Sequence, residues 1–217
     1  MIELRKTTLK YQRGPGVYDI NFTIGAGELV FLVGPSGAGK TTLLKLMYAD
    51  LLPQEGEVEV NGFITSHMRS KSIPHLRRTL GLVFQDFRLL PDRNAYDNIA
   101  LPLHILGLQR KDIRERTYAA LDDVGLIDRA HHYPRELSGG EQQRVGIARA
   151  IVKNPITILA DEPTGNLDAG NSMETLDLLT YLANENGSTV IIATHDYSIV
   201  SKKRGRLIEI NEGRLLD

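Results

Sequence analysis

The sequence predicts an α/β fold: a largely parallel sheet carrying a phosphate-binding loop, an antiparallel β section beside it, and an inserted helical section. Three observations carry that expectation. The apolar run Leu29-Val30-Phe31-Leu32-Val33 leads straight into Gly34-Pro35-Ser36-Gly37-Ala38-Gly39-Lys40-Thr41, and a helix-forming stretch follows. Two more continuously apolar runs, 156–160 and 189–193, flank a helical pattern, as strands covered on both faces require. The N-terminal segments instead alternate in polarity, the period of half-buried strands.

Taken in chain order, Ile2-Glu3-Leu4 and Thr8 to Tyr11 read as strand, and Tyr18 to Ile24 as the next, closed by Gly25-Ala26-Gly27. Leu29 to Val33 precedes the glycine loop. Thr41 to Tyr48 then has helix character, with Leu43, Leu44 and Met47 available to one buried face. Gly56 to Val60 alternates up to Asn61-Gly62, a dipeptide suited to the positive φ angles of a hairpin turn. Leu80 to Phe84 is a further strand. From Tyr96 through Leu126 the period becomes helical, with Pro102 and Gly107 expected to interrupt it. Residues 90–140 are therefore assigned to an α-helical subdomain within one domain spanning 1–217. Beyond it, a helix from Asn171 to Asn184 separates the strands Ile156–Ala160 and Thr189–Ala193, and Arg206 to Ile210 is the last strand.

Composition narrows the class. A chain of 217 residues with 41% hydrophobic and 24% charged residues can bury a substantial core. No apolar stretch is long enough to cross a bilayer, no secretory signal opens the chain, and no cysteine is present for disulfides or thiolate metal sites. A formal charge of -1 gives no reason to expect specific nucleic-acid binding, and the short basic clusters read as solvated surface. The expected compartment is the cytoplasm.

The chemistry is concentrated at strand ends. In the loop from Gly34 to Thr41, with Thr42 beside it, the glycines let backbone amides surround phosphate, and the helix N-terminus adds partial positive charge. Lys40 can reach terminal phosphates and Thr41 can ligate magnesium. Asp161 and Glu162 end another strand, the first suited to holding magnesium and the second to polarising an attacking water. Gln85 and His195 each follow a strand as well. The glutamine amide can contact the metal or water without carrying charge, and the imidazole can contact phosphate and position Glu162. Tyr11 and Tyr18 both compete for stacking on adenine. Finally, Ser138-Gly139-Gly140 opens a helix. In isolation it reads as an ordinary serine cap. Two chains packed head to tail would instead place Ser138 and Gly140 against nucleotide held by the opposite loop, with Asn166-Leu167-Asp168 between the two sites.

With those residues in order along it, the chain resembles the ATP-binding-cassette ATPases over essentially its full length. The resemblance rests on the phosphate loop, Gln85, Leu137-Ser138-Gly139-Gly140-Glu141-Gln142-Gln143-Arg144, Asp161-Glu162, Asp168 and His195. It implies a phosphate-loop NTPase core of ABC type, ATP and Mg2+ as cofactors, and an ATP-dependent homodimer. Within it, Lys40, Gln85, Glu162 and His195 would be catalytic. Lys40, Thr41 and Asp161 would bind phosphate and magnesium, Gln85 would sense them, and Tyr11 fits the adenine position better than Tyr18. Gly165-Asn166 departs from the Ser-Ala that many relatives carry there. Phe84-Gln85-Asp86-Phe87-Arg88-Leu89-Leu90 and Val145 to Ala150 are most similar to the FtsE subfamily of bacterial cell-division ATPases. That likeness implies an FtsX-like integral membrane partner, control of cell-wall hydrolases, and peripheral association with the cytoplasmic face of the inner or plasma membrane. Phe87 to Leu90 and the helical lobe from Tyr96 are the expected docking surface. The ATPase of a lipoprotein-release or macrolide-type exporter, and a slow-turnover assembly clamp, remain the alternatives.

Overall fold

The computed structural model describes residues 1–14, 16–167 and 169–216. Strands β1 (Ile2–Leu9) and β2 (Val17–Ile24) pair antiparallel, followed in the chain by β3 (Leu29–Val33), helix α1 (Lys40–Met47), β4 (Glu55–Val60) and β5 (Phe63–Ile64). Helix α2 (Ile73–Arg78) leads into β6 (Leu80–Val83), and then come α3 (Ala95–Ile105), α4 (Arg110–Asp123) and α5 (Gly139–Ile151). The rest is β7 (Thr157–Asp161), α6 (Ala169–Glu185), β8 (Thr189–Thr194), α7 (Tyr197–Lys202), β9 (Arg206–Asn211) and β10 (Arg214–Leu215).

Two sheets result. One is antiparallel, in the order β2-β1-β4-β5; the other has the order β10-β9-β3-β8-β7-β6 and is parallel except for the β9–β10 hairpin. The apolar run of β3 is explained by its position inside this second sheet. Phe31 and Val33 face one core with Ile158, Ile192, Val145 and Leu179, while Val30 and Leu32 face the other with Leu43, Ile191 and Val58. Alternate residues of one strand thus fill two separate layers, and neither face can be polar.

Pro102 does not interrupt the helical section. Helix α3 runs through it, because Ile99 and Leu103 are fully buried against the core and the Pro102 carbonyl still accepts from Leu106. Proline removes only one hydrogen bond, and packing outweighs that loss. Gly107, at φ 76°, does end the segment in the left-handed conformation that glycine tolerates. Buried Asn98 ties the preceding loop to α3. Its Oδ1 accepts from the Leu90 amide at 2.8 Å, and its Nδ2 donates to the carbonyls of Leu90, Arg93 and Asn94.

Candidate functional site

Parallel register gathers the candidate loops at one sheet edge. Val33 pairs with Thr194, Ala193 with Asp161, and Ala160 with Val83. Gly34, His195, Glu162 and Gln85 therefore leave the sheet from four adjacent strands, at the carboxyl edge where ligands enter open α/β sheets.

The glycine loop is shaped by close approach. A Cβ on Gly34 would stand 2.0 Å from the Ile210 carbonyl oxygen, and Gly39, at φ 112°, opens α1 with no side-chain cap. The first-turn amides of α1 are thus left to an anion. Pro35, Ser36 and Gly37 are exposed on the loop and Ala38 is buried beneath it. Lys40 is 5% exposed, and its Nζ donates to the carbonyls of Gly34 at 2.7 Å and Pro35 at 3.1 Å. The ammonium is held over the loop by acceptors of the loop itself.

Glu162 connects that lysine to the histidine. One carboxylate oxygen lies 3.4 Å from Lys40 Nζ, and the other 2.9 Å from His195 Nδ1. Its backbone stands in the left-handed region, at φ 45°, with its amide donating to Ala193 of β8 at 2.9 Å. A glutamate in this conformation persists only when its surroundings impose it. Buried Gln143 of α5 contributes by donating from Nε2 to the Pro163 carbonyl at 2.6 Å. A cleft of about 320 Å³ opens beside Glu162 and His195, bordered also by Gly165 and Leu167.

Thr41 Oγ1 donates to Asp161 Oδ1 at 2.9 Å. Burial raises the Asp161 carboxyl above its ordinary range, with the Thr41 hydrogen bond opposing the shift. A hydroxyl and a partly desolvated carboxylate at this spacing are hard oxygen donors, a set that fits magnesium. Gln85, the third candidate metal contact, makes no hydrogen bond with this pair among the described residues. It is exposed, and its carbonyl accepts from Asn166 Nδ2 at 2.7 Å.

The two tyrosines differ. Tyr11 is 39% exposed, and its hydroxyl lies 3.2 Å from Thr42 Oγ1 on α1, so its ring is open beside the phosphate loop. The Tyr18 ring carries the Arg214 guanidinium 5.5 Å from its centroid and is packed by Gly213. Of the two, Tyr11 is the more exposed.

Ser138 behaves first as a cap. Its hydroxyl accepts from the Glu141 amide at 3.3 Å, while Glu141 accepts from the Ser138 amide at 2.8 Å and pairs with Arg129. The Ser138 amide is the main reason the Glu141 carboxyl lies below its usual range. Among the described residues, Ser138 and Gly140 have no hydrogen bond to the phosphate loop of their own chain. Asp168 lies outside the described residues.

Sequence reasoning quoted Gln143 and Arg149 within longer motifs and gave neither a role. The Arg149 guanidinium donates to the carbonyls of Phe87 and Arg88, both at 2.7 Å, and those two residues have φ angles of 58° and 45°. The available signal was a helix face, Gln143, Gly146 and Ala150 at spacings of three and four, with a polar residue in an otherwise small, buried row.

Residues 17–165 match the family model described as ABC transporter. The chain is 46% identical over 218 residues to the cell division ATP-binding protein FtsE of Mycobacterium tuberculosis, covering all of this chain and 94% of that protein. It is 45% identical over 216 residues to the protein of the same name from Escherichia coli K12, covering 99% and 97% of the two chains. Among solved structures, it is similar to the dimeric, post-hydrolysis state of the ATP-binding cassette MJ0796 bound to ADP and Pi. The TM-score is 0.90 at 35% identity, over all of this chain and 97% of that one.

Proposed function

Because the chain belongs to the ABC transporter family and is an ATPase of that family, we propose that it is the ATP-hydrolysing subunit of a bacterial cell-division membrane complex, working as a homodimer with an FtsX-like integral membrane protein. The observation that carries the hydrolytic part is the Glu162 carboxylate, held between Lys40 Nζ at 3.4 Å and His195 Nδ1 at 2.9 Å. In this reading Lys40 leaves the loop carbonyls for the terminal phosphates, and the amides of Gly34 to Thr41 bind the rest of the chain of phosphates. Glu162 accepts a proton from the attacking water, and His195 orients Glu162 and the phosphate. Thr41 and Asp161 would hold magnesium, which supplies charge neutralisation between the phosphates. Tyr11 stacks on adenine. Ser138 and Gly140 complete the site of the opposite protomer.

The membrane part is supported by the names of the relatives and by one surface. No helix among the described residues is long and apolar enough to cross a membrane, so an action beyond the membrane needs a partner. An open groove of about 370 Å³ lies between α2 and α3, lined by Ile73, Pro74, Leu101 and Ile105 together with Arg77 and Lys153. Ile105 is 59% exposed. Burial lowers the Lys153 amine to about 8, and a partner carboxylate would favour its charged form. The groove therefore suits an amphipathic cytoplasmic segment carrying an acidic residue. Phe87 suits it less, since its ring lies beside Gly139 and its carbonyl is held by Arg149.

Ile105→Glu tests the assignment. The variant is expected to keep the wild-type melting temperature and basal ATPase rate, yet to lose co-purification with a co-expressed FtsX-like membrane protein. Retained association would move the docking surface away from this groove. Association with a membrane protein containing a substrate-conducting cavity would favour an exporter.

A further inference from the structure

The departure at Gly165-Asn166 is explained by one neighbour, Gln85. Asn166 Nδ2 donates to the Gln85 carbonyl at 2.7 Å across a separation of 81 residues. A Cβ on residue 165 would come within 2.9 Å of Gln85 Nε2, 3.1 Å of Cδ and 3.2 Å of Cγ. The glutamine side chain thus lies in the space that glycine leaves open, while the asparagine holds its backbone. Serine and alanine in these positions would crowd the first contact and abolish the second. Two adjacent departures therefore act on the same residue.

Their surroundings give the contact a consequence. Gly139, at the start of α5, has Leu167 Cδ2 and Phe87 Cζ 3.9 and 4.0 Å from where its Cβ would stand. The segments 85–88, 165–167 and 138–140 thus meet at one junction. The first contains the proposed phosphate sensor, and the other two are the segments proposed to face the partner protomer.

The geometry points to Asn166 as a positioning residue for Gln85, one that fixes the sensor loop to the partner-facing segment so that dimer closure reaches Gln85 in the same chain. This rests on the reading of Gln85 as a sensor and goes beyond it by naming the element that sets its position. Among the described residues the Asn166 side chain makes no hydrogen bond to Lys40, Glu162 or His195, and its bond to the Gln85 carbonyl is the route by which it acts.

The test uses Asn166→Ala and the isosteric Asn166→Asp, which loses the donor and turns a carboxylate toward a carbonyl. Asn166 is exposed, so folding is expected to survive. In nucleotide-free protein, hydrogen exchange at the Phe87 and Arg88 amides, bonded to the carbonyls of Phe84 and Asp86, should accelerate by about 5-fold. In steady-state assays kcat should fall about 5- to 10-fold while the KM for ATP stays within about 2-fold. Gly165→Ser should lower kcat in the same direction by displacing the Gln85 side chain. Asn166→Ala combined with Gln85→Ala should be no slower than Gln85→Ala alone. Wild-type exchange and kcat in both Asn166 variants would overturn the inference, as would multiplicative losses in the double variant. Full turnover by Gln85→Ala itself would instead remove the sensor reading, and with it the functional weight of the contact.

Discussion

Helices α1 and α5 both begin in a glycine-rich segment, yet the two starts are built in opposite ways. Helix α1 has Gly39 at its N-cap, no side-chain cap and no acidic residue in its first turn. Helix α5 has Ser138 as a bonded cap and Glu141 closing the reciprocal bond, with Arg129 beside the carboxylate. An uncapped N-terminus retains its amides and its partial positive charge for a ligand. A capped one has already used part of both. The groups around α1 form a site within one chain: Lys40, Thr41, Asp161, Glu162 and His195 are linked by direct contacts. Among the described residues, the start of α5 has no comparable chemistry in its own chain. The contrast supports the proposed division, in which α1 binds nucleotide in its own chain and a pre-capped α5 meets the nucleotide of a second.

The largest effect should come from separating these two contributions in mixed dimers. Gly140→Asp places negative charge where the opposite phosphates would lie, and Lys40→Ala removes a charge-assisted contact to phosphate. Each homodimer should lose about 100-fold or more of its ATPase activity. In a mixed dimer one composite site carries both lesions and the other neither, so random pairing should restore about a quarter of the wild-type sites. Recovery on mixing, measured as phosphate release, is the expected outcome. No recovery, with heterodimers demonstrated by mass, would place the start of α5 and the phosphate loop of one and the same chain in a single site and erase the contrast.

What the sequence disclosed follows the same division. The α1 site was readable because its parts are local: an apolar strand, a loop of glycines and a helix in direct succession. Glu162 and His195 were readable as strand-end residues, and parallel register brought those ends together. The serine cap of α5 was legible as well, since Ser138 and Glu141 have capping-box spacing. The supports behind the site were not. Gln143 reaches Pro163, and Arg149 reaches Phe87 and Arg88 across 62 and 61 residues, and such pairings leave no periodicity in either segment. Helix α2 was missed because its six residues are too few to show a period, and Pro102 misled because burial of its helical neighbours outweighs its local preference.

A smaller effect should distinguish the α1 site by its electrostatics. The Asp161 carboxyl is raised mainly by burial. A carboxyl whose folded pKa exceeds its unfolded value contributes stability below the unfolded pKa, and that stability is lost as pH rises through the folded one. Without nucleotide or divalent cation, Asp161→Asn should therefore melt above wild type near neutral pH, with the difference closing in acid. Magnesium with ATP should reverse the order, because only the wild type then has its carboxylate neutralised by a cation. Thermal melts across pH, with and without Mg-ATP, check this. A pH-independent difference between the two proteins would mean that the carboxylate is not held against its preference.

The smallest effect belongs to Ser138, and it decides whether that residue is a cap alone. Ser138→Ala removes the acceptor for the Glu141 amide and should cost about 1 kcal/mol of stability. Taken alone, a fall in turnover in this variant would be ambiguous, because a frayed α5 also disturbs Gln143, Gly146 and Arg149 behind the site. Ser138→Asp resolves the ambiguity. Aspartate caps a helix as well as serine does, so stability should remain within about 0.5 kcal/mol of wild type. Its carboxylate, however, would stand beside the partner's phosphates and also close to Glu141, whose pairing with Arg129 limits the second repulsion. Stable protein with impaired ATP-dependent dimerisation, read by light scattering in a Glu162→Gln background, is the expected result. Normal dimerisation by a stable Ser138→Asp variant would leave Ser138 with a purely structural role, and the functional difference between the two helix starts would then rest on Gly140 alone.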